Sequence, residues 1–267
     1  MTLTLNDGRA MPQLGLGTWQ IADVQAPTVV RQGLDVGYQL IDTAAIYGNE
    51  RGVGDGFKSS NAWITTKLWN NRQRDPEAAL DESLALLGLD AVDLYLIHWP
   101  SPALEQYVDA WRALVALRDA GKTRSIGVSN FLPEHIDAIV AATGVTPAVN
   151  QIELHPHFQQ REARAYHEAH GVVTQSWSPI GQGKGLLDDE RIAAIAAKHA
   201  RSAAQVVIAW HLAHGLSVIP KASGREHLTD NFAALDLTLD PDDMAAIEAM
   251  DSPDGRLGAD PATSPYI

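Results

Sequence analysis

Four ionisable side chains lie at, or just after, the carboxyl ends of successive strand-like runs: Asp42, Tyr47, Lys67 and His98. Asp42 ends one run, Tyr47 follows in the next loop, and Lys67 and His98 each end a later run. If these strands are parallel neighbours in a barrel, all four side chains meet at its C-terminal face, where catalysis in such folds takes place. A carboxylate, a phenol, an ammonium and an imidazole at one mouth can together deliver a proton.

Proton delivery of this kind suits the reduction of a carbonyl, because hydride transfer leaves negative charge on the carbonyl oxygen. A free phenol has a pKa of about 10, and we expect the Lys67 ammonium to lower the pKa of Tyr47 in a partly desolvated site. Asp42 would keep Lys67 charged and in position, and His98 would orient the carbonyl oxygen. Taken singly, each has a simpler interpretation: Tyr47 as a surface ring, Asp42 and Lys67 as a structural ion pair, and His98 as a strand cap.

The elements that must position these residues are short, mostly apolar runs alternating with helical patterns, as in parallel strands buried on both faces. The predicted strands are 14–18, 39–43, 63–67, 93–98, 125–129, 148–153, 172–177 and 217–220. The predicted helices are 26–36, 50–57, 77–87, 105–120, 133–142, 160–170, 202–214 and 226–234, with an additional helix at 189–199.

This alternation predicts an α/β fold, a (β/α)8 TIM barrel that forms a single domain over residues 1–267. A β-hairpin turning at Asn6-Asp7-Gly8 precedes it, and the tail from about 251 to 267 crosses the surface. The alternative is an open doubly wound sheet. It would normally carry a Gly-rich dinucleotide turn after an early strand, whereas the glycines of 52–56 have the wrong spacing and follow a loop.

Composition narrows the class of protein. The net charge of −13 argues against a nucleic-acid partner or an anionic membrane surface, and the absence of cysteine excludes disulfides and thiolate chemistry. We find no signal peptide and no apolar run long enough for a membrane span, so we expect a cytoplasmic protein. The pair His155 and His157 lacks a third ligand, so we predict no metal site.

Several segments carry a resemblance to a known family. They are 41–50 (IDTAAIYGNE), 65–69 (TTKLW), 93–100 (DLYLIHWP), 125–131 (SIGVSNF), 147–153 (PAVNQIE) and 218–221 (VIPK). In this order, over about residues 3–260, the chain resembles the aldo-keto reductase superfamily, in particular bacterial 2,5-diketo-D-gluconate reductase-like members. The resemblance implies NAD(P)H-dependent reduction of a small aldehyde or ketone by a monomer, with Tyr47 as general acid, Asp42 and Lys67 as its tuning pair and His98 as the orienting donor.

The resemblance also implies cofactor contacts. Ser129, Asn130 and Gln151 would hold the nicotinamide carboxamide, whose donor and acceptors an amide side chain can match. Trp177 would stack on the nicotinamide ring, although core packing is the simpler interpretation of such a Trp. Ser178 and the Gly-rich loop 181–185 would cover the pyrophosphate.

The adenosine end departs from the family pattern. Lys221 and Asn231 are retained, but Ala222 stands where the family usually has Ser, and His227 where it usually has Arg. A neutral His lacks the fixed charge and planar fork of Arg, for which Arg225 would compensate. We therefore expect NADPH as cofactor, with a weakened preference over NADH. A second departure, a shortened stretch between Gly54 and Trp63, should affect stability more than chemistry.

Aromatic side chains should form the substrate walls: Trp19, Tyr47, Trp69 and Trp99, with the tail as a further contributor. They suit small or sugar-derived carbonyls, such as methylglyoxal or 2,5-diketo-D-gluconate. The short loop 100–106 argues against a deep pocket for steroids. The alternative function is a nicotinamide-binding sensor or regulatory protein on the same fold, because fold alone does not separate the two.

Overall fold

A computed structural model describes residues 1–58 and 60–264. The chain opens with an antiparallel hairpin of β1 (Thr2–Thr4) and β2 (Ala10–Pro12). Asp7 in its turn accepts a 2.6 Å hydrogen bond from Ser125, at the start of a barrel strand. Leu5 and Met11 are buried against side chains of the barrel interior. The predicted hairpin is therefore confirmed, and it covers the end of the barrel opposite the carboxyl ends of the strands.

Eight parallel strands follow, each bonded to the next in chain order. They are β3 (Leu16–Gly17), β4 (Leu40–Asp42), β5 (Trp63–Leu68), β6 (Val92–Ile97), β7 (Thr123–Ser129), β8 (Val149–Glu153), β9 (Val173–Trp177) and β10 (Ser217–Val218). Parallel bridges close the first strand onto the last, with Gly15 N donating to Val218 O at 2.9 Å. A Cβ at Gly17 would lie 2.7 Å from Ile219 O, so this seam needs glycine. The predicted barrel is confirmed and the open sheet is wrong.

The helices surround the barrel. They are α1 (Ala26–Val36), α2 (Glu50–Phe57), α3 (Pro76–Leu87), α4 (Tyr107–Asp119), α5 (Pro133–Thr143), α6 (Arg161–Ala169), α7 (Glu190–His199), α8 (Ala203–Ala213), α9 (Arg225–Phe232) and α10 (Pro241–Glu248). Every predicted helix is present, but α4 begins two residues later than expected because Glu105 adopts a left-handed backbone (φ 52°) that ends a short 3-10 turn. None of these helices, nor any other in residues 1–58 and 60–264, is both long and apolar enough to cross a membrane.

One helix was not expected from the sequence, and two predicted segments include residues outside the described ones. Helix α10 was not predicted, although Asp240 caps it by accepting hydrogen bonds from the backbone N–H groups of Asp242 and Asp243, and Pro241 occupies its first turn. The stretch between Gly54 and Trp63 contains Ser59, which lies outside the described residues, as do 265–267 at the end of the tail.

Alternation along the strands divides the core into two layers. Outward-facing side chains such as Ile41, Ile64 and Tyr95 pack beneath the helices, whereas Leu40, Leu94 and other inward-facing side chains fill the barrel. Towards the carboxyl ends of the strands the inward positions become polar, beginning with Asp42 and Lys67. The same two-residue period that fills the barrel with apolar side chains therefore delivers polar groups to its mouth.

Candidate active site

The four ionisable residues predicted from the sequence meet at the mouth of the barrel. Lys67 Nζ lies 2.5 Å from Asp42 Oδ1 and 2.8 Å from Thr43 O, and it lies 5.1 Å from the centroid of the Tyr47 ring. The rings of Tyr47 and His98 are 5.8 Å apart and nearly perpendicular. An ammonium therefore lies beneath a phenol, with an imidazole beside it.

The loop that carries Tyr47 is fixed from below by a buried amide. Asn49 donates to Thr18 O and to Ile21 O, both at 2.9 Å, and accepts a 2.8 Å hydrogen bond from Thr43 Oγ1. Tyr47 ends a 3-10 turn, and Gly48 follows it in the left-handed conformation. These contacts tie the loop to β3 and β4, so the position of the phenol is set by the barrel wall.

Asp42 and Lys67 form a buried, fully bonded pair. The second carboxylate oxygen of Asp42 accepts a 2.8 Å hydrogen bond from Gln151 Nε2, so both of its oxygens face N–H donors. Burial alone would lower the pKa of Lys67, but Asp42 and Tyr47 outweigh it and raise that pKa above its ordinary value. Burial raises the pKa of Asp42, and Lys67 and Gln151 counteract it. Lys67 is thus held in its charged form beneath the phenol.

The direction of the pKa shift at Tyr47 differs from the expectation. Burial raises the pKa of the phenol, and the opposing effect of the Lys67 ammonium does not overcome it. The predicted net lowering of the pKa of Tyr47 is therefore wrong, because removal from water disfavours the phenolate more than Lys67 favours it. A phenol with a raised pKa stays protonated at neutral pH, which is the form that can donate a proton.

His98 is held as a neutral imidazole. Burial, and after it the Lys67 ammonium, lowers the pKa of His98 well below its ordinary value. Its Nδ1 is buried with no hydrogen-bond partner among the described residues, and the Trp69 ring packs edge-on against it at 5.2 Å. A neutral imidazole can still donate one N–H, so the predicted orienting role is compatible with this environment.

Polar side chains on β7 and β8 extend the site beyond these four residues. Ser129 Oγ donates to Gln151 O at 2.8 Å, and Asn130 Nδ2 donates to His98 O and to Ser129 Oγ at 3.0 Å each. Gln151 Nε2 also donates to Gln175 Oε1, at 2.6 Å. The structure brings Ser129, Asn130 and Gln151 together with the four ionisable residues, in one continuous network.

Trp177 ends β9 and belongs to the same network, because its Nε1 donates to Asn130 Oδ1 at 2.8 Å. Its ring is half-buried and faces the mouth. Ser178, with a left-handed backbone, begins the following loop, and its hydroxyl accepts a 2.6 Å hydrogen bond from Gln182. The glycines 181, 183 and 185 of this loop all have positive φ, a conformation in which glycine avoids the strain of a side chain.

A cavity of about 880 Å³ opens above the network. Of the predicted site residues, those that line it are Trp19, Asp42, Tyr47, Trp69, His98, Trp99, Ser129, Asn130, Gln151, Trp177, Ser178 and Lys221. Lys67 lies beneath it with its side chain fully buried. The cavity thus joins the predicted catalytic residues, all three predicted substrate-wall tryptophans and one end of the predicted cofactor site.

Comparison with known proteins agrees with this geometry. The sequence model of the Aldo/keto reductase family matches residues 13–252. The chain belongs to this family. Methylglyoxal reductase DkgA of Salmonella typhimurium is 46% identical over 97% of this chain and 96% of its own length, and that of Yersinia pestis is 48% identical over 97% and 95%.

Solved structures of other proteins have the same fold. The apo form of Gox0644 superposes with a TM-score of 0.97 at 50% identity, over 100% of this chain and 99% of that chain. A variant of Gox0644 in complex with NADPH gives the same values. The aldo-keto reductase MGS-M4 from a deep-sea metagenome library has a TM-score of 0.92 at 36% identity, over 99% of this chain and 100% of that chain.

The residues at the mouth of this aldo/keto reductase fit a nicotinamide cofactor. The half-buried ring of Trp177 supplies a flat surface beside the amide groups of Asn130 and Gln151. Lys221, an exposed cation, lines the same cavity at the end of β10. An aromatic ring can stack on Trp177, and a carboxamide can form hydrogen bonds with the two amide groups. A phosphate group can pair with the Lys221 cation.

The remaining predicted cofactor residues lie outside the cavity lining. Ala222 and Asn231 are buried, whereas Arg225 and His227 are exposed on α9. Arg225 lines a separate surface hollow, and its Nη1 lies 3.8 Å from Asp35 Oδ2. Contact of these four residues with a cofactor stays a prediction.

Sequence reasoning missed part of the lining. The missed residues include Gln20, Ile46 and Ile219, and the tail residues Leu257, Gly258 and Ala259. Ile46 directly precedes Tyr47 and is 48% exposed, and its place beside a predicted site residue was the available signal in the sequence. The tail had been named only as a general contributor to the substrate wall.

Two buried histidines outside the site, His155 and His167, contact polar side chains of the protein. His155 Nε2 lies 3.2 Å from Glu153 Oε1, and His167 contacts Asn150 and Thr174, both at 2.9 Å. In residues 1–58 and 60–264, no group of three or more His, Cys, Asp or Glu side chains is placed to hold a metal ion.

Proposed function

We propose that this chain is an NADPH-dependent reductase that converts small aldehydes and ketones to alcohols, with methylglyoxal and sugar-derived dicarbonyls such as 2,5-diketo-D-gluconate as candidate substrates. The observation that carries the proposal is the buried Asp42–Lys67 pair beneath Tyr47, beside a neutral His98, in a cavity of about 880 Å³. The similarity to methylglyoxal reductases and to a protein solved with NADPH supports the substrate class and the cofactor.

A reduced nicotinamide held by the residues of the mouth would supply a hydride for the carbonyl carbon. His98, kept neutral, donates a hydrogen bond that orients the carbonyl oxygen. Tyr47 gives its phenol proton to that oxygen as negative charge develops on it, which completes the alcohol. Lys67 stabilises the resulting phenolate, and Asp42 keeps Lys67 charged. The phenolate then regains a proton from water before the next turnover.

The cofactor residues have matching proposed roles. Ser129, Asn130 and Gln151 hold the carboxamide, Trp177 supports the nicotinamide ring, and Ser178 with the glycines of 181–185 covers the pyrophosphate. Lys221 provides the cation for the 2′-phosphate of NADPH. Arg225, His227, Ala222 and Asn231 surround the adenosine. Because His227 replaces a charged Arg, we propose that NADH is also accepted, less efficiently.

We further propose that the protein acts as a single-domain monomer in the cytoplasm. The net charge of −13 supports a protein that does not bind nucleic acid. The complete proton-donating set favours an enzyme over the nicotinamide-binding sensor, because a sensor has no need of a general acid.

Replacement of Tyr47 by Phe tests the proposal. It removes the phenol oxygen and keeps the ring, so we expect kcat for methylglyoxal with NADPH to fall at least about 100-fold, the usual contribution of a general acid. Absorbance of NADPH would follow turnover, and fluorescence titration would show retained cofactor binding. Equal turnover by both proteins would remove Tyr47 from the mechanism, whereas tight NADPH binding without turnover of any carbonyl would favour the sensor.

A further inference from the structure

Glu153 is a buried carboxylate at the mouth that the mechanism does not use. It ends β8, is 2% exposed, and lies beside Trp177 in the register of β8 and β9. Its two oxygens accept hydrogen bonds from the backbone N–H groups of Leu257 (2.5 Å) and Gly258 (2.8 Å), more than 100 residues further along the chain. His155 Nε2 adds a contact at 3.2 Å.

The tail segment, residues 252–259, is held closely along its whole length. Ser252 N donates to His157 O at 3.1 Å, and a Cβ at Gly255 would lie only 1.8 Å from that same oxygen. The guanidinium carbon of Arg256 lies 4.6 Å from the centroid of the Phe158 ring, within the range of a cation–π contact. These contacts bring the tail segment across the loop that follows β8 and up to Glu153.

Gly258 fits between two residues of the site. A Cβ there would lie 2.6 Å from Trp177 Cη2 and 3.0 Å from Glu153 Oε2. The Trp177 ring is thus in contact with the tail segment on one side and bonded to Asn130 through Nε1. Because Leu257, Gly258 and Ala259 also line the cavity, the tail segment is one of its walls.

We propose that Glu153 is a positioning residue: it seats the tail segment against Trp177, and through that seating it limits the space that the cavity leaves for a substrate. Hydrogen bonds from two backbone N–H groups to one carboxylate are charge-assisted, and therefore about twice as strong as neutral ones. Although burial opposes it, His155 and the two N–H groups lower the pKa of Glu153, so it accepts in its ionised form at neutral pH. The selectivity part of this proposal rests on the proposed reductase function.

Limited proteolysis with trypsin tests the seating of the tail segment without any activity measurement. Trypsin cleaves after Arg256, and the N–H of that peptide bond is the one that Leu257 donates to Glu153. Glu153→Gln keeps the size of the side chain and places an amide in contact with the two donors. We expect cleavage after Arg256, seen as loss of residues 257–267 by intact mass spectrometry, to become at least about tenfold faster.

A second variant keeps the test decisive if Glu153→Gln folds poorly. Gly258→Ala alters only the tail side of the contact, and its methyl group cannot fit between Trp177 and Glu153. We expect the same acceleration, and no further increase when the two changes are combined, because both release one contact. Glu162→Gln, an equivalent change at an exposed position of α6, is the matched control and should cleave at the unsubstituted rate.

Selectivity is measured with methylglyoxal and the bulkier phenylglyoxal, which share the reactive dicarbonyl. Release of the wall should raise the ratio of kcat/KM for phenylglyoxal over methylglyoxal about tenfold, through KM, with kcat within about threefold. Unchanged cleavage in both variants would overturn the seating role, and faster cleavage with an unchanged ratio would overturn the selectivity role. Absence of turnover in the unsubstituted protein would instead count against the proposed function and leave the cleavage result to decide on Glu153.

Discussion

The proposed catalytic end and the proposed adenosine end of the cofactor site are built differently. At the catalytic end, Asp42, Lys67 and Gln151 are buried and joined by hydrogen bonds of 2.5–2.8 Å. At the proposed adenosine end, Lys221 and His227 are exposed, and no hydrogen bond of either side chain is found among the described residues. One end is a closed network, whereas the other is a group of separate side chains on β10, the following loop and α9.

This difference predicts how each end should respond to substitution. A buried group that loses its partner is left with an unpaired charge, which costs far more than the loss of an exposed contact. The exposed end has no such penalty, so we expect His227, in place of the Arg usual in the family, only to weaken the preference for NADPH. We therefore expect changes at the catalytic end to abolish function, and changes at the adenosine end to adjust it.

Lys67→Met should have the largest effect. It removes the ammonium that stabilises the Tyr47 phenolate and leaves the Asp42 carboxylate buried without its cation. We expect kcat/KM for methylglyoxal to fall at least about 1000-fold, and the free energy of unfolding to fall by about 3–5 kcal/mol, the usual cost of breaking a buried pair. Steady-state kinetics and urea unfolding would measure the two effects.

A double variant separates these effects. Asp42→Asn combined with Lys67→Met removes both charges, so much of the stability should return while the activity stays lost. Activity of Lys67→Met within tenfold of the unsubstituted enzyme would show that the phenol acts without the ammonium, and would remove the main distinction between the two ends.

Lys221→Met tests the adenosine end. Loss of one exposed cation should raise the KM for NADPH about tenfold, equivalent to about 1.4 kcal/mol, and change kcat at saturating NADPH less than about twofold. Lys122→Met removes the same charge at the opposite end of the barrel, where Lys122 contacts Asp81 at 2.7 Å, and serves as the control. A fall in kcat as large as that in Lys67→Met would mean that the two ends are not independent.

His227→Arg should have a smaller effect of opposite sign. It supplies the fixed charge and planar fork that a neutral His lacks. We expect the ratio of kcat/KM for NADPH over NADH to rise about fivefold, measured by cofactor oxidation at one carbonyl concentration. An unchanged ratio would place His227 beyond reach of the 2′-phosphate and leave Lys221 as the main determinant.

The parts of the fold and site that could be predicted are those set by local patterns. Asp42 and Lys67 end apolar runs on the inward face of a parallel barrel, so strand period and topology are enough to bring them together. Helix α10 was also within reach, since Asp240 and Pro241 form a visible start signal.

What could not be predicted depends on contacts that are distant in sequence. The bonds from Leu257 and Gly258 to Glu153 join positions more than 100 residues apart, and no local pattern marks them. The direction of the pKa shift at Tyr47 depends on how far the folded chain excludes water, whereas the sequence showed only that a cation was near. The partners of Gln151, likewise, follow from strand register, not from residue type.

The smallest expected effect is that of pH on kcat, and it tests whether burial controls the protonation states at the catalytic end. A His of ordinary pKa near 6.5 would be about nine-tenths protonated at pH 5.5. Because the pKa of His98 is lowered and that of Tyr47 is raised, both keep their neutral forms, and we expect kcat for carbonyl reduction to change less than about twofold between pH 5.5 and 8.

Folding must be checked over the same pH range, because buried His167 has its pKa lowered to about 4. Its unfolded form takes up a proton near pH 6.5, so the stability that His167 contributes is complete above that pH and is lost progressively as the pH falls towards 4. At pH 5.5 the loss from His167 amounts to about 1.4 kcal/mol. Circular dichroism at that pH would show whether the protein stays folded. With folding intact, a loss of kcat centred near pH 6.5 that disappears in His98→Gln would show that His98 titrates normally, and that the catalytic end is as open to water as the adenosine end.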